Sequence, residues 1–107
     1  MAASITQQLS DIEEQIDGVV EKVNADPHAS PALKAVVAEL HAKTREARDE
    51  TKGAAERTIR DHIIEAEEAA DSAKHAAEAE TQISGATRQA VLDAHDALCA
   101  LKAALPE

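Results

Sequence analysis

The stretch ITQQLSDIEEQIDGVVEKV, residues 5–23, decides the fold class. Ile5, Leu9, Ile12, Ile16, Val19 and Val23 recur at alternating spacings of four and three. On an α-helix that spacing lines one face; on a strand it scatters over both. Gln, Asp and Glu fill most of the other positions, so the segment reads as an amphipathic helix built to lie on other helices. Ser4 is a good N-cap, and Gln7 three places on completes a capping-box pattern. Asp26 precedes Pro27, whose ring pushes it out of the helical region, so the helix is expected to end near Asn24.

Working outward, Ser30-Pro31 restarts a helix with a cap followed by proline at the first helical position, where the missing N–H is harmless. Leu33, Val36, Val37 and Leu40 then form a compact apolar patch. The short loop between Asn24 and Ser30 favours antiparallel packing of these first two helices. From His41 to Thr58 large apolar residues vanish among charges of alternating sign, and Gly53 weakens the helix by roughly 1 kcal/mol relative to Ala. No proline or loop cluster accompanies Gly53, so a continuous helix is expected through it. Ile59, Ile63 and Ile64 resume an apolar face that continues as Ala66, Ala69, Ala70, Ala73, Ala76 and Ala77. Ser84-Gly85 is the next break signal, and Val91, Ala94, Leu98, Leu101 and Leu105 form a last seam before Pro106.

The expected fold is therefore all-α, a single domain over residues 1–107. It is an elongated antiparallel bundle or coiled coil of three helices near 5–24, 31–82 and 87–105, completed by dimerisation. The central helix would be about 75 Å long at about 1.5 Å per residue. A four-helix version breaking at Gly53, and one unbroken helix from Pro31 to Leu105, are the alternatives.

Composition explains why a partner is expected. Ala supplies 25 of the 107 residues, Leu, Ile and Val together only 20, and Phe, Tyr and Trp are absent. Alanine buries little area, so about twenty large aliphatic side chains, each stabilising by roughly 1.5–3 kcal/mol, must oppose the ordering entropy of the whole chain. The formal charge of −10 opposes contact with phosphate backbones, and without aromatic rings there is nothing on which bases could stack, so no direct nucleic-acid binding is expected. A signal-peptide pattern and an 18-residue apolar run are both missing, which leads to the expectation of a cytoplasmic protein without a transmembrane segment.

Chemistry-bearing residues are few. His62 with Glu65, and His75 with Glu78, stand three apart and share a helical face. Di-metal carboxylate bundles use the reverse order, Glu-x-x-His, with further inward Glu residues, so these pairs read as a solvated acidic face. Asp93, His95 and Asp96 are too close in sequence to converge on one ion. Cys99 has His95 one turn before it, the one pairing of base and thiol in the chain, but no third group to orient the base. A lone cysteine excludes an internal disulfide and a Cys-only zinc site. The three glycines are isolated, so no phosphate loop exists, and Gly18 marks either a close helix approach or tolerated weakness.

No catalytic, cofactor or metal residues are assigned, and neither an enzyme activity nor a small-molecule substrate is expected. The expected function is that of a non-enzymatic scaffold, adaptor or regulatory subunit acting by helix–helix association with a second copy or another helical protein. Its interaction seam would be Ile5, Leu9, Ile12, Ile16, Val19, Val23, Leu33, Val37, Leu40, Ile59, Ile63, Val91, Leu98, Leu101 and Leu105. Two alternatives remain. One is an acidic inhibitor or mimic using the 61–80 tract, where seven acids face Lys74 alone. The other is an amphipathic coat on a hydrophobic particle.

Overall fold

The computed structural model describes residues 5–50 and 56–105, and four helices account for most of them: α1 (Ile5–Ala25), α2 (Pro31–Glu50), α3 (Glu56–Ala79) and α4 (Gly85–Ala104). Each packs on its chain neighbours, and α1 closes the ring against α4, while the diagonal pairs stay apart. Cross-helix contacts fix the directions. Glu13 reaches Arg48 and Asp17 reaches His41 between α1 and α2, and Asp71 reaches His95 between α3 and α4. The result is an up-down-up-down bundle measuring 41 × 24 × 20 Å.

This corrects the expectation of one helix over 31–82. The backbone N–H of Ser30, ahead of α2, donates to Glu80 Oε1 at 2.9 Å, just beyond α3. In an unbroken helix fifty residues would hold these groups about 75 Å apart. The physical reason lies in the apolar faces. A straight helix would let the Leu33–Leu40 patch meet α1 alone and the Ala66–Ala77 stripe meet α4 alone, whereas folding α3 back along α2 buries both faces against each other as well. Gly53, where the break was weighed, lies outside the described residues, as do Ser4 and Pro106, read as the first cap and the last stop. The other ends differ from expectation by only a few residues, α3 stopping at Ala79 and α4 starting at Gly85.

The core is built from large side chains on three helices against small ones on the fourth. Leu9, Ile16, Val19 and Val23 of α1, Leu33, Val37 and Leu40 of α2, and Val91 and Leu98 of α4 are fully buried. From α3 come Ile63 and then Ala66, Ala70, Ala73 and Ala77. Small residues along one face let the α3 backbone approach its neighbours closely, which is how an aromatic-free sequence fills its interior. The buried Thr44 hydroxyl donates to Leu40 O at 2.8 Å, so it leaves no donor unmet.

Two loops meet at one end of the bundle and lock together. Ser30 caps α2, its Oγ accepting from Leu33 N at 3.1 Å, and Ser84 caps α4, accepting from Thr87 N at 3.1 Å. Buried Asp26 joins the two loops, because its carboxylate accepts from His28 N and from Ser84 N, each at 2.9 Å. The Ser84 N–H above all, and then the His28 N–H, hold this carboxyl below the ordinary aspartate range.

Two predictions follow from this packing. Leu40→Ala should cost about 2–5 kcal/mol in urea denaturation; a loss near the 0.5 kcal/mol typical of surface sites would remove Leu40 from the core. Asp26 is depressed in the folded state, so its stabilising effect is complete above the unfolded value of about 3.9 and fades as pH falls through the lower folded value. The stability gap between the wild type and Asp26→Asn, measured from pH 7 downward, should therefore narrow below about pH 4; a constant gap would contradict this.

Candidate functional site

The expected interaction seam is the core itself. Every seam position is buried within the chain except Ile5, Ile59 and Leu105, which are partly buried and packed against that core. A coat on a hydrophobic particle would need these faces turned outward, and in the folded chain they turn inward.

Between α1 and α4 the surface is shallowly concave. Two shallow hollows follow one another along this seam as a trough, with Gln8 and Asp11 and then Gln15, Gly18 and Lys22 on one wall. Ala86, Ala90, Asp93, Ala97 and Ala100 line the other. A Cβ at Gly18 would have no heavy atom within 4 Å, so the glycine is not required by close packing inside this chain. The outer face of α3 is different in character, with Asp61, Glu65, Glu68 and Glu78 all exposed beside exposed His75.

Polar chemistry concentrates where α3 meets α4. Glu67 and Asp71 stand one turn apart on α3, His95 and Cys99 one turn apart on α4, and the antiparallel register sets 71 against 95 and 67 against 99. His95 is buried, with Nε2 at 2.6 Å from Asp71 Oδ1 and Nδ1 at 3.3 Å from Asp96 Oδ1. The Cys99 thiol lies 3.5 Å from His95 Nε2 and 3.8 Å from Glu67 Oε1, while Lys102 Nζ stands 3.6 Å from Glu67 Oε2. Burial raises the thiol pKa, and the negative charges of Glu67, Asp71 and Asp96 raise it further.

That arrangement does not activate a nucleophile. The imidazole nitrogen nearest the thiol is the one that Asp71 already engages, so carboxylate and thiol compete for a single site. A working base would use one nitrogen for each. The surrounding carboxylates also disfavour the thiolate, the reactive form. The third group that the sequence could not supply is Asp71, yet it binds the wrong nitrogen for catalysis. Adjacent His95 and Asp96 touch, whereas Asp93 accepts a hydrogen bond from Gln89 at 2.8 Å.

Elsewhere, two groups bring three donor atoms of metal-ligating type within 4.8 Å of one another among the described residues, which the α3–α4 cluster does not. Glu46, His62 and Glu65 form the first, with His62 Nδ1 at 3.5 Å from Glu65 Oε2 and both glutamates exposed. The sequence paired His62 with Glu65 but gave no sign of Glu46 across the α2–α3 interface. The second is Glu13, Asp17 and His41, in which buried Glu13 is held by Arg48, with Arg45 at 4.0 Å. Both His75 and Glu78 lie exposed on α3. No helix among the described residues is long and apolar enough to cross a membrane.

No protein-family model matches the chain, and neither a curated protein nor a solved structure matches it significantly. Site and surface must therefore be judged on their own chemistry.

The raised Cys99 pKa carries its own check. At pH 7 the thiol should react with a disulfide reagent more slowly than free cysteine, and the rate should climb as the pH rises past the usual thiol range near 8.5. A thiol faster than free cysteine at pH 7 would reverse the assignment.

Proposed function

We propose that the protein is a non-enzymatic adaptor or regulatory module that works by helix–helix association, receiving a second copy or another helical protein along the α1–α4 trough. The observation that supports this reading is the fate of the aliphatic seams. They are consumed inside the chain, so association draws on what remains outside, and the trough is an open, largely apolar surface there. Its alanine wall admits a helix backbone at short range. Asp11, Lys22 and Asp93 leave it close to neutral on a chain of formal charge −10. Two copies therefore repel little when they meet there.

Gly18 supplies the test. Because a side chain at this position meets nothing in the folded chain, Gly18→Ala should raise the stability of the isolated bundle by roughly 0.8–1 kcal/mol through helix propensity. Gly18→Leu should keep the fold and obstruct the trough. Sedimentation equilibrium over a hundredfold concentration range, or partner capture followed by a direct binding titration, should show an assembly that Gly18→Leu weakens. An assembly indifferent to Gly18→Leu would remove the trough from the reading.

The exposed acids of α3 favour a second reading, a mimic that occupies a basic partner surface. Such a complex would weaken steeply between low and physiological salt, whereas association through the trough would change little.

A further inference from the structure

Where α2 packs on α3, one ligating atom each of Glu46, His62 and Glu65 lies within 4.8 Å of the other two. His62 and Glu65 stand one turn apart on α3 and share a face, and the antiparallel return of the chain sets Glu46 of α2 beside them. A second observation falls on the same histidine. Among the described residues that are not exposed, two buried side-chain atoms make no hydrogen bond, Glu13 Oε2 and His62 Nδ1. Arg48 meets Glu13 as an ion pair, whereas His62 Nδ1 faces Glu65 Oε2 at 3.5 Å without a hydrogen bond between them. A buried polar atom left without a partner is costly, and a bound ion or water is one way of meeting it. A tetrahedral zinc holds imidazole nitrogen and carboxylate oxygen each at about 2.0–2.1 Å, which sets them about 3.3–3.4 Å apart. His62 Nδ1 and Glu65 Oε2 already stand within about 0.2 Å of that spacing.

We propose that Glu46, His62 and Glu65 form a binding site for a divalent transition cation of the zinc type, which bridges α2 and α3 and is held by His62 through Nδ1. The site is half open. The His62 side chain is 25% exposed and those of Glu46 and Glu65 are 54% and 50% exposed, so the ion enters from solvent and water completes its coordination. Three protein donors with one position left for water is an arrangement that zinc accepts. The imidazole nitrogen selects an ion of this type over magnesium or calcium, which prefer oxygen alone, and the two carboxylates balance its charge. Lys43 Nζ stands 3.7 Å from Glu46 Oε2 but also 3.9 Å from Glu39, and a long, solvated pair of this kind yields readily to a divalent ion. On binding, the Nδ1 lone pair goes to the cation; a proton carried there moves to Nε2 or to solvent, and no electron is transferred. The group of Glu13, Asp17 and His41 suits a cation less, because Arg48 and Arg45 already face Glu13. His75 and Glu78 repeat the spacing of His62 and Glu65, but no third donor joins them among the described residues.

The α2–α3 side is opposite the α1–α4 trough, so failure of this site would leave the adaptor reading untouched. The experiment is a zinc chloride titration of the reduced full-length chain. Uptake is measured by equilibrium dialysis, and the five histidine rings are followed by long-range proton–nitrogen correlation spectra. The expected result is saturable uptake in which the Nδ1 resonance of His62 moves with zinc and that of His75 stays in place. Glu46→Gln, an exposed change checked for retained helicity, should weaken the zinc response of His62 by about tenfold or more, since even an outer-shell partner is worth that much. His75→Ala should leave it unchanged. The proposal is overturned if the folded wild type takes up no saturating zinc, or if zinc binds while the His62 ring stays unperturbed. It is equally overturned if Glu46→Gln responds as the wild type does, because the ion would then not bridge the two helices.

Discussion

Each of the four helices carries an apolar face that water disfavours, and the chain has no aromatic residue with which to cover large areas cheaply. The faces can be buried only by bringing four backbones close together, and α3 makes that possible. Its buried stripe of Ala66, Ala70, Ala73 and Ala77 takes up little room, so the leucines and valines of the other helices fill the space between them. Were α3 to continue straight from α2, each face would meet only one neighbouring helix, α1 or α4. The antiparallel return is recorded in the contact between Ser30 and Glu80, fifty residues apart in sequence.

Polar groups then fix what the apolar faces leave loose. Hydrophobic burial has no direction and tolerates sliding of one helix along another, whereas a hydrogen bond to a particular carboxylate does not. Asp26 joins the α1–α2 loop to the start of α4, and Ser30 joins the start of α2 to Glu80. Together they pin all four helices at one end of the bundle. Along its length, Glu13 with Arg48 and Asp71 with His95 set the register of each antiparallel pair. The helix register is what carries Glu67 to Cys99 and Asp71 to His95, so the α3–α4 donor set is a consequence of fold geometry.

The same geometry limits the chemistry that the α3–α4 residues support. A thiol beside an imidazole and a carboxylate has the composition of a nucleophilic site, but here thiol and carboxylate share one nitrogen and the field is negative. Those features suppress a thiolate nucleophile. The α1–α4 side lacks such a cluster and offers shape instead, with small residues, few charges and an unfilled position at Gly18.

The sequence by itself determined the class of fold, the faces and most of the helix ends. The seams from Ile5 to Val23, Leu33 to Leu40 and Val91 to Leu105 follow from local periodicity, and the caps at Ser30 and Ser84 lie at the positions of the Ser-Pro and Ser-Gly signals. Periodicity says which face is apolar but not what covers it. The tertiary structure therefore decided that these seams meet within one chain, that 31–82 is two helices, and that Asp71 and Glu67 stand opposite His95 and Cys99. Each of those outcomes depends on the register between helices distant in sequence, which is set by the summed burial of all four faces and by a few polar contacts such as Asp26 with Ser84. No local pattern contains that sum.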